Sequence, residues 1–502
     1  MKKILPALVF LFYISCAIGQ NNEQNIRGVV LDKLARSPLP GVSLVLLSVT
    51  PTKGTTTDEN GNFLLSGLPP DRYEIKVSFL GYKTIFLHNL IVTSGKELVL
   101  EILMDEDLKQ MEDVVVTGTN KAHSINKLAT VSARTFSMEE VNRYAGGRSD
   151  PARLAANFAG VSAPDDSRND IVIRGNSPVG VLWRIDGMNV TNPNHFASVG
   201  TTGGAVSALN TNLLKNSDFF TSAFPAEYGN ATAGVFDLGF RSGNTAKRET
   251  TLQVGVITGL EATTEGPISK SNGSSYLVGY RYALAGVAQA AGIDIGTTAT
   301  PSYQDLSFKI NSGTTPLGKF SLFGILASST IALKSGSSGS LYGNGNQTDF
   351  GSKIGIAGLT HFLQINTKSY LSSLVGLNYS STDQTDYMTN RQTLISESSE
   401  VNKVAKTGYN IATSYNTKIN SRWFLKVGVQ DELLGLYLNY KTRRDRPEWA
   451  QVWDYDSYTQ LAQAFVHAKY NVNERLILNG GVHSQYFAYT KSTSVEPRFG
   501  AS

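Results

Sequence analysis

The stretch Ile171-Val-Ile-Arg-Gly-Asn-Ser-Pro-Val-Gly-Val-Leu-Trp-Arg-Ile-Asp-Gly187 decides how this chain folds. Two short apolar runs end in Arg174-Gly175 and Asp186-Gly187, with a proline and glycine turn between them. Asp-Gly favours turns with positive φ, so Asp186 reads first as a turn carboxylate. No nucleophile, base and oxyanion set accompanies it, so an enzyme reading gains nothing. Arg174 and Arg184 read as structural ion-pair partners. Farther on, Phe224-Pro-Ala-Glu-Tyr-Gly-Asn-Ala-Thr-Ala-Gly234 gathers small residues around Glu227, Tyr228 and Gly229.

Before this stretch the pattern is mixed α/β. Ser137-Met-Glu-Glu140 has the form of a capping box, with Ser137 as cap and Glu140 reaching back. Pro151 to Phe158 is a short amphipathic helix with proline at a tolerated first position and Gly160 as its stop. Asn189 to Ala205 is polar and loop-like. Residues 124–243 resemble the plug of TonB-dependent outer-membrane receptors. The matching motif residues are Arg174, Gly175, Asp186, Gly187, Glu227, Tyr228 and Gly229. The resemblance implies a gated importer, not an enzyme. It also implies that apical plug residues such as Asn192, Asn194, His195 and Phe196 meet substrate. The alternative for each of these four is a merely solvated loop position.

Just ahead of the plug, residues 108–123 form a charged linker that contains Glu112-Asp113-Val114-Val115-Val116-Thr117. A β-branched triplet bounded by acids suits a strand added to the sheet edge of a partner. An ordinary first strand of the next domain is the alternative. By resemblance this is the energy-coupling segment, and its partner is the TonB complex of the inner membrane.

Residues 20–107 carry short apolar runs at Ile26–Leu31, Val42–Leu47, Phe63–Leu65, Tyr73–Phe79 and Leu98–Leu103, separated by turn residues. That spacing predicts an all-β sandwich. Gly28-Val-Val-Leu-Asp32, Pro40-Gly-Val-Ser-Leu44, Thr57-Asp-Glu-Asn-Gly-Asn-Phe63 and Tyr73–Tyr82 resemble the carboxypeptidase-regulatory-like, transthyretin-like domain. The resemblance implies no peptidase chemistry. A zinc peptidase needs paired His/Glu ligands at close spacing. His88, His123, His195, His361, His467 and His483 all lack such a partner three or four residues onward. No metal, cofactor or catalytic residue is expected.

Residues 1–19 read as a cleaved secretory signal, with Lys2 and Lys3 at the start, an apolar core from Leu5 to Ile14, and Ala17-Ile18-Gly19 as the cleavage site. A lipid-attachment reading of Cys16 has a poor context in Tyr13-Ile14-Ser15. Cleavage after Gly19 removes the single cysteine.

Residues 244–502 read as a partial outer-membrane β-barrel. In Thr250–Ala262, Leu252, Val254, Val256 and Leu260 alternate with Gln253, Gly255, Gly259 and Glu261. In Tyr458–Asn471, Ala462, Ala464, Val466 and Ala468 alternate with Gln463, His467 and Lys469. Leu476, Leu478 and Val482 oppose Asn479, His483 and Gln485. Period-two alternation suits strands with lipid on one side and water on the other. Charged residues make up 17% of the chain, below the soluble average of ~25%, and 22 Phe with 22 Tyr favour an aromatic-rich β-protein. A net charge of +4 gives no case for nucleic acid. Lys441–Ser457 reads as a long polar loop.

About ten strands are expected, with an eleventh beginning at Val495. Roughly twenty-two are needed to house a plug, so the chain is expected to be C-terminally incomplete. The predicted fold is mainly β: an N-terminal sandwich, an α/β plug and a partial antiparallel transmembrane barrel. The N-terminal extension resembles that of Bacteroidetes receptors. Partners implied are TonB, outer-membrane lipid, and a siderophore, cobalamin, oligosaccharide or peptide as substrate. One rival is a SusC-like glycan importer with a lipoprotein lid, although the coupling segment lacks the Gly-Tyr-Gly ending expected of that branch. Another is a surface-binding protein without transport, which needs neither plug nor alternating strands.

Overall fold

The computed structural model describes residues 23–107, 125–129, 132–198, 200–255, 259–284, 299, 301–334, 347–389, 395–444, 447–473 and 476–502. The signal segment and Glu112–Thr117 lie outside these described residues. The chain divides into two compact units, Met1–Asn120 and Lys121–Ser502.

The first unit builds seven strands: β1 (Gln24–Asp32), β2 (Ser43–Leu46), β3 (Gly54–Thr56), β4 (Asn62–Leu68), β5 (Asp71–Ser78), β6 (Ile85–Val92) and β7 (Leu98–Met104). They form two sheets, β4-β1-β7 and β3-β2-β5-β6. Alternation drives the packing. Phe63 and Leu65 of β4 and Tyr73, Ile75 and Val77 of β5 turn inward onto Ile26, Val30, Leu44 and Ile102. Each fully buried side chain of this size contributes about 1.5–3 kcal/mol relative to exposure. β1 and β7 run parallel and close, and a Cβ on Gly28 would meet the Leu100 carbonyl oxygen at 1.9 Å. The sequence pattern missed β3 and β6. A register shift between Tyr73 and Ile75 and the positive φ of Asn89 break the alternation of the β5–β6 pair.

The second unit begins with the plug. Its strands are β8 (Ala133–Phe136), β9 (Val161–Ser162), β10 (Val172–Ile173), β11 (Val181–Ile185), β12 (Met188–Val190), β13 (Asn194–His195), β14 (Val206–Ser207), β15 (Ser217–Phe220) and β16 (Gly234–Leu238). A five-stranded sheet runs β12-β11-β16-β15-β8, with β11 and β16 parallel. Val181, Trp183 and Ile185 bury one face of β11, and Trp183 stacks on Phe236 at 4.3 Å. The helix Met138–Arg143 starts with the expected capping box of Ser137 and Glu140. The helix Pro151–Ala155 starts on Asp150, whose side chain accepts from the Ala152 N–H.

Around the plug the described residues form a wall of twelve antiparallel strands, each paired with its sequence neighbour. They are β17 (Glu249–Gly255), β18 (Gly259–Ser269), β19 (Ser274–Tyr282), β20 (Ser302–Asn311), β21 (Lys319–Lys334), β22 (Gln347–Asn366), β23 (Ser369–Thr389), β24 (Ser396–Lys418), β25 (Trp423–Thr442), β26 (Ala450–Asn471), β27 (Ile477–Phe487) and β28 (Ser492–Ala501). Twelve exceeds the ten and a beginning read from the sequence. β28 pairs with β27 along its whole length. The Thr250–Ala262 alternation spans a hairpin of two strands, with Leu252 opposite Ala262. The Lys441–Ser457 loop is also corrected. Ala450–Ser457 opens β26 and pairs with Leu436–Thr442. Its residues are almost all exposed, and a strand solvated on both faces has the polarity of a loop.

The alternation has a physical basis in the wall. Leu260, Val466 and Val482 face outward and are exposed, while Glu261, Gln463, His467 and His483 face inward and are buried. At β21 and β22 the inner face is apolar as well: Phe323, Ile325, Ile354 and Ile356 join the plug core through Leu213 and Phe240. Among the described residues, no helix is long and apolar enough to cross a membrane.

Candidate functional site: the plug and wall contact

The segment Phe224–Gly229 is where the plug meets the wall most closely. The Ala226 N–H donates to Nδ1 of His467 at 3.0 Å, and the Ala226 carbonyl lies 2.8 Å from Nδ1 of His483. One residue thus fixes two tautomers. His467 accepts at Nδ1, whereas His483 donates there. The Arg498 guanidinium donates to the carbonyls of Pro225 and Tyr228 at 2.8 and 2.7 Å. Gly229 is sterically required, because a Cβ there would meet Gln463 Oε1 at 2.0 Å and His483 Nε2 at 2.5 Å.

Glu227 sits at the centre of a charged cluster. Its carboxylate lies 2.7 Å from Lys426 on β25 and 3.1 Å from Arg184 on β11. Asn126 donates to it and to the Tyr228 hydroxyl. Tyr228 in turn donates to Asp237 at 2.6 Å. Burial works against charge on Glu227, but Lys426 and Arg184 overcome it and bring the carboxyl down to about 2. Burial likewise opposes the charge on Arg184, and Glu227 and Asp237 hold its proton more firmly than usual.

Asp186 and Gly187 form the two-residue turn between β11 and β12, with φ of 46° and 89°. Both positive values fit the hairpin turn that Asp-Gly prefers. Asp186 also pairs with Lys309 of β20 at 3.0 Å. Arg184 therefore has the ion pair expected of it. Arg174 has no ion pair among the described residues: it is exposed in a turn with Gly175, and its guanidinium reaches the Ser132 hydroxyl at 3.4 Å.

The four residues expected to meet substrate are all buried. His195 places Nε2 3.0 Å from Asp305 of β20, which also accepts from Arg281 at 2.8 Å. Burial lowers the His195 pKa, against the pull of Asp305. The Phe196 N–H donates to Ser329 and Ser352. Asn192 and Asn194 border a cleft, but their amides are committed to Thr201 O, Gly203 O, Thr202 O and one another. These side chains build the loop and seat it. The sequence reading expects them to meet substrate, with a solvated loop as the alternative; in the structure most of their polar atoms serve internal bonds or the wall, while Nδ1 of His195 has no partner among the described residues.

The wall partners, Lys309, Asp305, Lys426, Arg498 and Glu432, escaped the sequence reading. Their signal was present as charges on the inward parity of alternating strands, but parity does not say which charge meets which. Asn189 donates to Glu432 at 2.9 Å and Thr191 to Asn378 at 2.9 Å. Among the described residues, no group of three or more His, Cys, Asp or Glu is placed to hold a metal. The arrangement holds a stopper by charge pairs and hydrogen bonds that break without covalent chemistry.

Comparison with known proteins accords with this geometry. The family described as CarboxypepD_reg-like domain matches residues 26–116, and the TonB-dependent Receptor Plug Domain matches residues 126–235. The outer membrane transporter YddB from Escherichia coli is similar at 14% identity and a TM-score of 0.52, over 74% of this chain and 58% of that one. The siderophore receptor PirA from Acinetobacter baumannii is similar at 12% identity and a TM-score of 0.52, over 74% and 58%. The copper transporter OprC is similar at 11% identity and a TM-score of 0.53, over 76% and 60%. At these identities the likeness shows the fold. The chain spans about three-fifths of the length of these structures. No curated protein matches it.

Proposed function

We propose that this chain, a TonB-dependent receptor by its plug and its strand wall, takes part in energy-coupled uptake of a scarce nutrient across the outer membrane. The observation that carries the reading is Glu227, held between Arg184 of the plug and Lys426 of the wall. A permanent structural core would bury apolar surface there. Charge pairs instead give a contact that is strong at rest and can be rehydrated once force parts it.

Glu112, Asp113, Val114, Val115, Val116 and Thr117 pair as an added strand with TonB of the inner membrane, and pulling then remodels the plug. The outward apolar residues of the wall, Leu252, Val254, Val375 and Ile411 among them, meet outer-membrane lipid. Export through a cleaved signal at residues 1–19 brings the N-terminal sandwich to the periplasm. Siderophore, cobalamin, oligosaccharide and peptide all fit this architecture, since fold alone does not choose a solute.

Deleting Glu112–Thr117 in the receptor tests the reading. Uptake should cease while substrate binding at the cell surface persists. Uptake that survives the deletion rejects the coupling assignment.

A further inference from the structure

The plug-loop residues Thr191–Ser198, Gly200 and Thr201 and the inner faces of β22, β23 and β24 border a cleft that opens to solvent. Its wall side is a tile of two cross-strand rows. Ile354, Ser380 and Lys406 pair in one, and Ser352, Thr382 and Val404 in the next. All six share the inward parity of their strands. Lys353, at the border of the cleft, alternates to the outer face, so Lys406 is the ammonium that the register turns into it.

Lys406 breaks the charge pattern of this interior. Lys426 has Glu227, Lys309 has Asp186, Arg281 has Asp305 and Arg241 has Glu265. Among the described residues, Lys406 has no carboxylate within ion-pair distance. The hydroxyls of Ser198, Ser380 and Thr382, which border the same cleft, likewise have no hydrogen-bond partner among the described residues. Ala197, Ile354 and Val404 supply an apolar floor. Small-molecule sites likewise bring a few polar groups together over an apolar lining.

We infer that this cleft is a solute site for a small molecule bearing an oxyanion, carboxylate or phosphate, with Lys406 as the counter-charge and Ser380, Thr382 and Ser198 as hydroxyl partners. The inference rests on the uptake reading, because it names the class of solute taken up. A neutral polyol would satisfy the hydroxyls but leave the ammonium unmatched. An oxyanion satisfies both, and hydrogen bonds to an ionised group are about twice as strong as neutral ones.

Lysine acylation of the full chain in outer-membrane vesicles tests it, read by mass spectrometry with outward Lys403 as the internal control. Citrate probes the carboxylate arm, inorganic phosphate the phosphate arm, and maltose the neutral one. Citrate or phosphate should slow acylation of Lys406 about tenfold or more, and maltose should leave it unchanged. The Ser380→Ala/Thr382→Ala variant, which keeps the lysine and removes only hydroxyls, should weaken that protection. Equilibrium dialysis with labelled citrate or phosphate reads the lysine variants: Lys406→Arg should retain binding of the anion, and Lys406→Met should lose it. Equal acylation with and without both anions, or equal protection by maltose, overturns the proposal. Protection that persists after deletion of Glu112–Thr117 separates the site from the coupling step. If protection is absent while that deletion still abolishes uptake, the solute class falls and the uptake reading stands.

Discussion

Glu227 and Lys426 are 199 residues apart in sequence and 2.7 Å apart in space. The contact joins the last third of the plug to β25, the ninth of the twelve wall strands, and both partners are largely withdrawn from water. Removing one member of a buried pair typically costs about 3–5 kcal/mol, because the other is left charged and desolvated. Glu227→Gln should therefore loosen Phe224–Gly229, seen as faster amide hydrogen exchange there. In the Glu227→Gln/Lys426→Met double variant the loss should fall short of the sum of the two, by about 0.5–3 kcal/mol as expected for residues in contact. Additive losses would show that the two do not act as a pair.

The same carboxylate sets an acid limit on plug seating. Its folded value near 2 lies below its ordinary value of 4.5. A depressed carboxylate contributes stability that is complete above the unfolded value and disappears as pH falls through the folded one. Plug protection should stay flat down to about pH 4.5 and decline between there and pH 2, by roughly 3 kcal/mol in all. Limited proteolysis across that range reads it out. Glu227→Gln should remove this part of the decline.

Gly229 has no room for a methyl group. Gly229→Ala must displace Gln463, which donates to Glu432 at 3.0 Å, or His483, which is bonded to Ala226. Overpacking of this kind costs about 1–3 kcal/mol. The expected outcome is earlier release of the plug segment in urea, with partial recovery when Gln463→Ala opens space. No change on Gly229→Ala would contradict the packing.

The N-terminal sandwich has a core of its own, so a cavity there should be felt locally. Ile75→Ala should cost about 2–5 kcal/mol and speed hydrogen exchange in Tyr73–Val77. Exchange at Val181–Ile185 should not move, since that strand belongs to the other compact unit. A matching change in both would show that the two units unfold as one.

Much of this fold was legible because period-two patterning and turn chemistry are local. The Ser137 and Glu140 cap, the Asp186-Gly187 turn and the inward His467 and His483 follow from a few neighbouring residues. What escaped depended on partners far away in sequence. β21 and β22 showed little alternation because Phe323 and Ile354 pack against the plug while Leu326 and Leu359 face outward, so both sides are apolar. Asn192, Asn194, His195 and Phe196 are expected from sequence to meet substrate, or else to be solvated, because a polar loop pattern does not reveal that Asp305, Ser329 and Ser352 wait on the wall. Lys406 passed unremarked for the converse reason: its distinction is the lack of a mate, which no linear pattern displays.

β23 continues from Ser380 to Thr389 and β24 from Ser396 to Lys406. At ~3.3 Å per residue these hairpin arms run about 30 Å beyond the cleft. A strand needs only about 9–11 residues to cross a bilayer, and both are about twice that long. The surplus is a paired extension of the wall past the cleft. On the uptake reading proposed above, a molecule bound for the cleft would pass these arms first, and its girth would be tested before its charge.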